Sequence, residues 1–165
     1  MTFADERFAP EIVTIGTAAL ERIRQSAGSL ALALLLSDDG FEVTRTPAGG
    51  ESDGRFASIS SSVQALGEAV VAELSAGHGE AVIVQATQGF VVQMRVSDQP
   101  YVVAAHFRMG DNLGTALSLV RLATQEIGDA LAALARQPSA AVAARYSAPI
   151  VPEAPVLQTT QSLYP

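Results

Sequence analysis

The side chains able to do chemistry are few and scattered. His78 and His106 are the only histidines, and the chain has no cysteine, which removes disulfides, thiolate metal sites and cysteine nucleophiles together. Neither histidine has a serine and an aspartate at a spacing that makes a catalytic triad. His78, between Gly77 and Gly79, is expected to complement a helix end, and His106 to serve a strand. The segment Gly49-Gly50-Glu51-Ser52-Asp53-Gly54 is glycine-rich, but its two acids repel phosphate and no Gly-Lys-Ser/Thr follows, so it does not read as a nucleotide cradle. Asp38-Asp39 offers fewer oxygens than a hard cation requires and reads as a solvated turn. Arg55, placed in the same glycine-rich loop, could stabilise transition-state charge in a partner's active site; its ordinary reading is a solvated loop arginine. No catalytic residue, cofactor or metal site is expected.

The elements that carry these residues follow from apolar spacing. Ile12, Ile15, Ala19, Ile23 and Ala27 share one helical face behind Pro10, predicting a helix over 11–27. Leu30 to Ser37 is continuously apolar, as in a strand covered on both faces or central in a sheet. Asp38-Asp39-Gly40 turns it into the alternating strand Phe41–Thr46, nearer an edge. After the aperiodic loop Pro47–Gly54, a second helix is predicted from Ser58, with Ile59, Val63, Leu66, Val70 and Leu74 as its apolar face and Gly77-His78-Gly79 near its end. A second, small-residue stripe contains Ser60, Gln64, Gly67, Val71 and Ser75. Gly67 costs a helix about 1 kcal/mol relative to Ala, which suggests close approach by another backbone.

Three further strands, Ala81–Ala86, Phe90–Val96 and Tyr101–Phe107, are joined by connections so short that they must be antiparallel neighbours. Asp111 or Asn112 can cap the last helix. Leu113, Leu117, Val120, Thr124, Ile127, Leu131 and Leu134 then alternate spacings of four and three, as in a long helix laid on the sheet or paired with a partner helix.

Composition narrows the partners. A chain of 165 residues supports one domain, and with 48% hydrophobic but 5% aromatic residues its core must be built from Ala, Val, Leu and Ile. All ten basic residues are Arg, set against 17 acids, for a net charge of -7. No basic stripe is available to release counterions from a phosphate backbone, so nucleic acid is not an expected partner. The longest apolar run, Leu30–Leu36, is far short of the roughly 18 residues of a membrane helix, so no membrane insertion is expected. Residues 1–11 contain Asp5, Glu6, Arg7 and Glu11 without an apolar run, unlike a signal peptide, and a cytoplasmic location is expected. The expected organisation is an N-terminal extension (1–10), a domain (11–136) and a proline-rich tail (137–165), disordered or extended, that holds five of the eight prolines.

The order helix, two strands, helix, three strands, helix, with "LALALLLSDDG" at Leu30–Gly40, the meander Ala81–Phe107 and Asn112-Leu113-Gly114 opening the last helix, resembles the roadblock family of dynein light-chain type, specifically its bacterial regulators of Ras-like GTPases. That resemblance covers about residues 11 to 136. It implies an α+β fold: a five-stranded antiparallel sheet with one helix on one face and two on the other, of profilin-like/roadblock architecture. It also implies a homodimer in which the second helix pairs with its copy and the third strand extends the sheet across the two-fold axis. The small side chains allow two helices to cross closely, and pairing the third strand hides an apolar edge. The expected dimer interface is therefore Ser60, Ser61, Gln64, Gly67, Val71, Val82 and Val84. The implied function is a noncatalytic homodimeric adaptor that binds and regulates a small Ras-like GTPase. The alternatives are a scaffold tethering a multiprotein or cytoskeletal complex and, on residues such as Gln85, Gln93 and His106, a small-molecule sensor.

Overall fold

A computed structural model describes residues 7–49 and 54–136. Residues 1–6 of the expected extension, residues 50–53 of the glycine-rich loop and the whole expected tail lie outside the described residues. The chain divides into a unit Met1–Leu134, which carries the fold, and a unit Ala135–Pro165.

The elements appear in the predicted order: α1 (Pro10–Ser26), β1 (Leu30–Ser37), β2 (Glu42–Thr46), α2 (Arg55–Glu73), β3 (Val82–Ala86), β4 (Gly89–Arg95), β5 (Tyr101–Arg108) and α3 (Leu113–Arg136). The strands form one antiparallel sheet in the order β2-β1-β5-β4-β3. The hairpin β1-β2 and the meander β3-β4-β5 are the local pairings that short connections demand. They are fused by β1 and β5, aligned from Leu30↔Phe107 to Ser37↔Tyr101.

Alternation along the strands divides the core in two. Ala33, Leu35, Val92, Met94, Val103, Ala105 and Phe107 meet Leu20 and Ile23 of α1 and Val120, Ile127 and Leu131 of α3. Leu34, Leu36, Val102 and Ala104 point the other way, to Ala57 and Phe56 of α2. Two helices thus cover one face and one covers the other. The run Leu34–Leu36 is fully buried because both faces of β1 are covered, which is why it shows no alternation. Phe90 stacks on Phe107 at 5.4 Å between ring centroids.

Side-chain bonds fix the ends of the elements. Asn112 caps α3 by accepting the Thr115 amide at 2.8 Å. Asp111 instead accepts the Ser29 amide (3.0 Å) and hydroxyl (2.6 Å), joining the start of β1 to the start of α3. Helix α2 ends earlier than predicted. Ser75, at φ 51°, takes the left-handed position; its amide donates to Ala72, and the Ala76 amide donates to Val71, which closes the helix before Gly77 is reached. Arg55 is the first residue of α2 rather than a loop residue.

Polar contacts bind α2 to the sheet. Arg95 on β4 donates to Glu68 of α2 at 2.6 Å and to Asp38 of the β1-β2 turn at 2.5 Å, while the Ser61 hydroxyl donates to the Asp38 carbonyl. The predicted solvated turn is therefore an ion-pair partner. With both side chains more than a third exposed, the Arg95–Glu68 pair is worth about 0.2–1 kcal/mol.

Backbone crowding and the Arg95 ion pair can each be tested by substitution. A Cβ on Gly89 (φ 145°) would stand 2.1 Å from the Phe107 carbonyl oxygen, so Gly89→Ala is expected to lower the unfolding free energy by more than about 2 kcal/mol in urea titration. Gly28→Ala, whose Cβ would have nothing within 4 Å, is expected to change it by less than about 0.5 kcal/mol. The Arg95 hydrogen bond, and after it that from Gln64, holds the Glu68 carboxyl below its ordinary 4.5 against the opposing effect of burial. A lowered folded-state value means that the stabilisation is complete above 4.5 and disappears as the pH falls through the lower folded value. Glu68→Gln is expected to shrink the fall in melting temperature between about pH 6 and pH 3. It does not abolish that fall, because Glu21 and Asp111 are shifted in the same direction.

Candidate interaction site

Helix α2 has two dissimilar faces, and the structure turns inward the small-residue stripe that was expected at a dimer interface. The apolar ridge points outward: Ile59, Leu66, Val70 and Leu74 are 54%, 66%, 56% and 70% exposed. The small, polar stripe assigned to a two-fold partner points inward, with Ser60 and Gln64 buried. Gly67 approaches its own sheet, since a Cβ there would meet Val82 Cγ2 at 2.5 Å. The crowding at Gly67 comes from a side chain, Val82 of β3 in the same chain, and not from another backbone.

The reason lies in what the sheet offers. Across four strands the α2 face carries the rungs Leu34–Ala104–Gln93–Val82 and Leu32–His106–Val91–Val84. The first rung places a buried glutamine, Gln93, on the sheet face that α2 covers, and the buried residues of α2 are Ala57, Ser60 and Gln64. The match is incomplete: Ser60 Oγ, Gln64 Oε1 and Gln93 Oε1 are buried and have no hydrogen-bond partner among the described residues. A buried polar atom without a partner costs about 1–3 kcal/mol. Leaving a leucine or valine in water forgoes up to about 1.5–3 kcal/mol. By both measures α2 is poorly satisfied by its own sheet.

The exposed ridge continues onto β3. This strand lies at the sheet edge, paired with β4; its Val84, 46% exposed, is on the α2 side of the sheet, and its Ile83, 41% exposed and opposite Val92, is on the other. Between α2 and β3 runs a cleft of about 270 Å³ lined by Gln64, Gly67, Glu68, Val70, Val71, Gly79, Ala81, Val82 and Ile83. Beside the ridge, Ser58, Ser62, Ala65 and Ala69 form an exposed line of small residues on the outer side of α2. Of the seven interface residues expected from the sequence, Val84 is exposed, Ser61, Gly67, Val71 and Val82 are half-buried, and Ser60 and Gln64 face the core. Sequence reasoning found Ile59, Val63, Leu66, Val70 and Leu74 as one apolar face but did not place it at the interface; of these Val63 is half-buried and the other four are exposed. The missed signal was Gln93, a polar residue in an apolar strand.

The other candidates do not converge. Gln85 pairs with Phe90 on the opposite sheet face from Gln93 and His106. His78 is exposed beyond α2, and Arg55 lines a shallow groove of about 740 Å³ with Asp39, Gly40, Phe41, Ser58 and Ile59. Among the described residues, no cluster of three His, Asp or Glu side chains could hold a metal ion, and no helix is long and apolar enough to cross a membrane.

No protein-family model matches the chain, and no curated protein matches its sequence. Solved structures do match its architecture. Myxococcus xanthus MglB superposes with a TM-score of 0.67 at 13% identity, over 83% of this chain and 98% of that one. A Roadblock/LC7 domain from Streptomyces avermitilis gives 0.64 at 15% identity, over 70% and 96%. The gliding protein MglB from Thermus thermophilus gives 0.64 at 14% identity, over 74% and 92%. With nearly the full length of each of these proteins matched, five antiparallel strands and three helices in the same arrangement, the chain has the Roadblock/LC7 fold.

Proposed function

We propose that this chain is a noncatalytic homodimeric adaptor that binds a small Ras-like GTPase in the cytoplasm and alters its nucleotide cycle. The observation that carries the dimer is the exposed ridge Ile59, Leu66, Val70 and Leu74, continuous with the apolar edge strand β3. A two-fold axis beside β3 lets one patch serve as its own complement: β3 pairs with its copy, and α2 crosses its copy along Ser62, Ala65 and Ala69 while the ridges interlock. This interface keeps Val84 from the sequence expectation and replaces Ser60 and Gln64 with the residues on the opposite side of the helix. Gly67 keeps α2 close to β3 instead of lying between the two helices.

The GTPase reading is supported by the roadblock resemblance in the sequence and by the likeness to MglB structures. Such an adaptor acts by repositioning the switch loops of its partner, so it needs no catalytic side chain of its own.

Leu66→Arg is expected to convert the dimer to a monomer in analytical ultracentrifugation with an unchanged far-UV spectrum, because the substituted side chain is solvated in the single chain. A variant that stays dimeric places the interface elsewhere. The GTPase reading is tested by purifying the protein with each small GTPase of its host and comparing single-turnover GTP hydrolysis with and without it. Binding without a kinetic effect points to the scaffold, and binding to none of them ends the GTPase reading. Arg55→Ala is expected to leave any stimulation within about threefold, whereas loss of an arginine finger removes about 10³-fold or more.

A further inference from the structure

Helix α2 is held unequally along its length. At its start, Phe56 and Ala57 pack on Leu34, Leu36, Val102 and Ala104, and the Ser61 hydroxyl bonds to the β1-β2 turn. That turn also approaches closely, since a Cβ on Gly40 would lie 3.1 Å from Ser58 Cα. From Gln64 onward the contacts change character. Gly67 lies against Val82 and Glu68 pairs with Arg95, while Gln64 and Gln93 each keep a buried oxygen without a partner and a cleft lies open beside β3. The same segment carries Leu66, Val70 and Leu74, whose apolar surface faces outward.

We infer that the segment Gln64–Glu73 of α2 is seated on its sheet by dimerisation: the first turns dock within one chain, and the rest is held closed by the second copy. The inference rests on the dimer proposed above. Only the seated helix presents the ridge beside β3, so the second copy binds the closed form and not the open one. By mass action, a partner at about 100 times its dissociation constant lowers the open population about 100-fold. In a single chain, the ion pair between the half-exposed Arg95 and Glu68 is the main polar tether of this segment. The surface that α2 offers to any further partner is then complete in the dimer and incomplete in the monomer, which makes adaptor function depend on concentration.

Hydrogen–deuterium exchange of the full chain, read by mass spectrometry, tests this on wild type and Leu66→Arg. The expected result is that amides of residues 64–73 exchange about 100-fold faster in the monomeric variant, while those of β1, β4 and β5 change less than about threefold. A monomeric variant whose 64–73 segment keeps wild-type protection overturns the inference and leaves the dimer reading standing. A variant that remains dimeric overturns the dimer reading and the inference with it. If Leu66→Arg loses protection throughout, dilution of wild type through its dimer dissociation decides. Early loss of protection in 64–73 alone supports the inference, and loss of all segments together overturns it.

Discussion

The pairing of β1 with β5 is the contact on which the rest of the fold depends. It joins a hairpin and a meander that are each locally determined but lie far apart in the chain, and it sets both strands in the middle of the sheet, with two neighbours and two covered faces. Every later feature inherits its geometry. Leu35 and Val103 face α1 and α3 because Leu34, Leu36 and Val102 face α2, and a shift of one residue in register would exchange the two cores. Asp111, bound to Ser29, secures the same junction at the end where β5 runs into α3.

The sheet built this way is unevenly apolar on its two sides. One side is paved with Val, Ala, Leu, Met and Phe and takes two amphipathic helices in the ordinary manner. The other carries Gln93 and Arg95 among its aliphatic residues and takes α2 by its small and polar stripe. The apolar ridge of α2 is thereby displaced to the surface next to β3. An exposed apolar ridge beside an unpaired strand edge is a liability in a single chain and an asset in a symmetric pair. The proposed dimer is thus the resolution of a mismatch inside the protomer.

The legible part of this protein was the order and extent of its elements. Continuous apolarity in Leu30–Leu36 marked a two-sided strand, short connections required an antiparallel meander, and the four-and-three spacing after Asn112 marked α3, whose Val120, Thr124, Ile127 and Leu131 are buried as that spacing requires. Helix ends were less legible. Ser75 closes α2 in a conformation that favours glycine, although Gly77 stands two residues further on, because hydrogen bonds to Val71 and Ala72 become available there first.

The sequence by itself determined which residues share a face, since a period of two or 3.6 is a local property of backbone geometry. It also excluded cysteine chemistry and a basic nucleic-acid surface through composition alone. Only the tertiary structure decided what each face meets. For α1 and α3 the apolar face meets the sheet, but for α2 it meets solvent, because the choice belongs to the surface opposite the helix. That surface is assembled from β1, β5, β4 and β3, and the position of Gln93 within it cannot be read from the spacing of residues along α2.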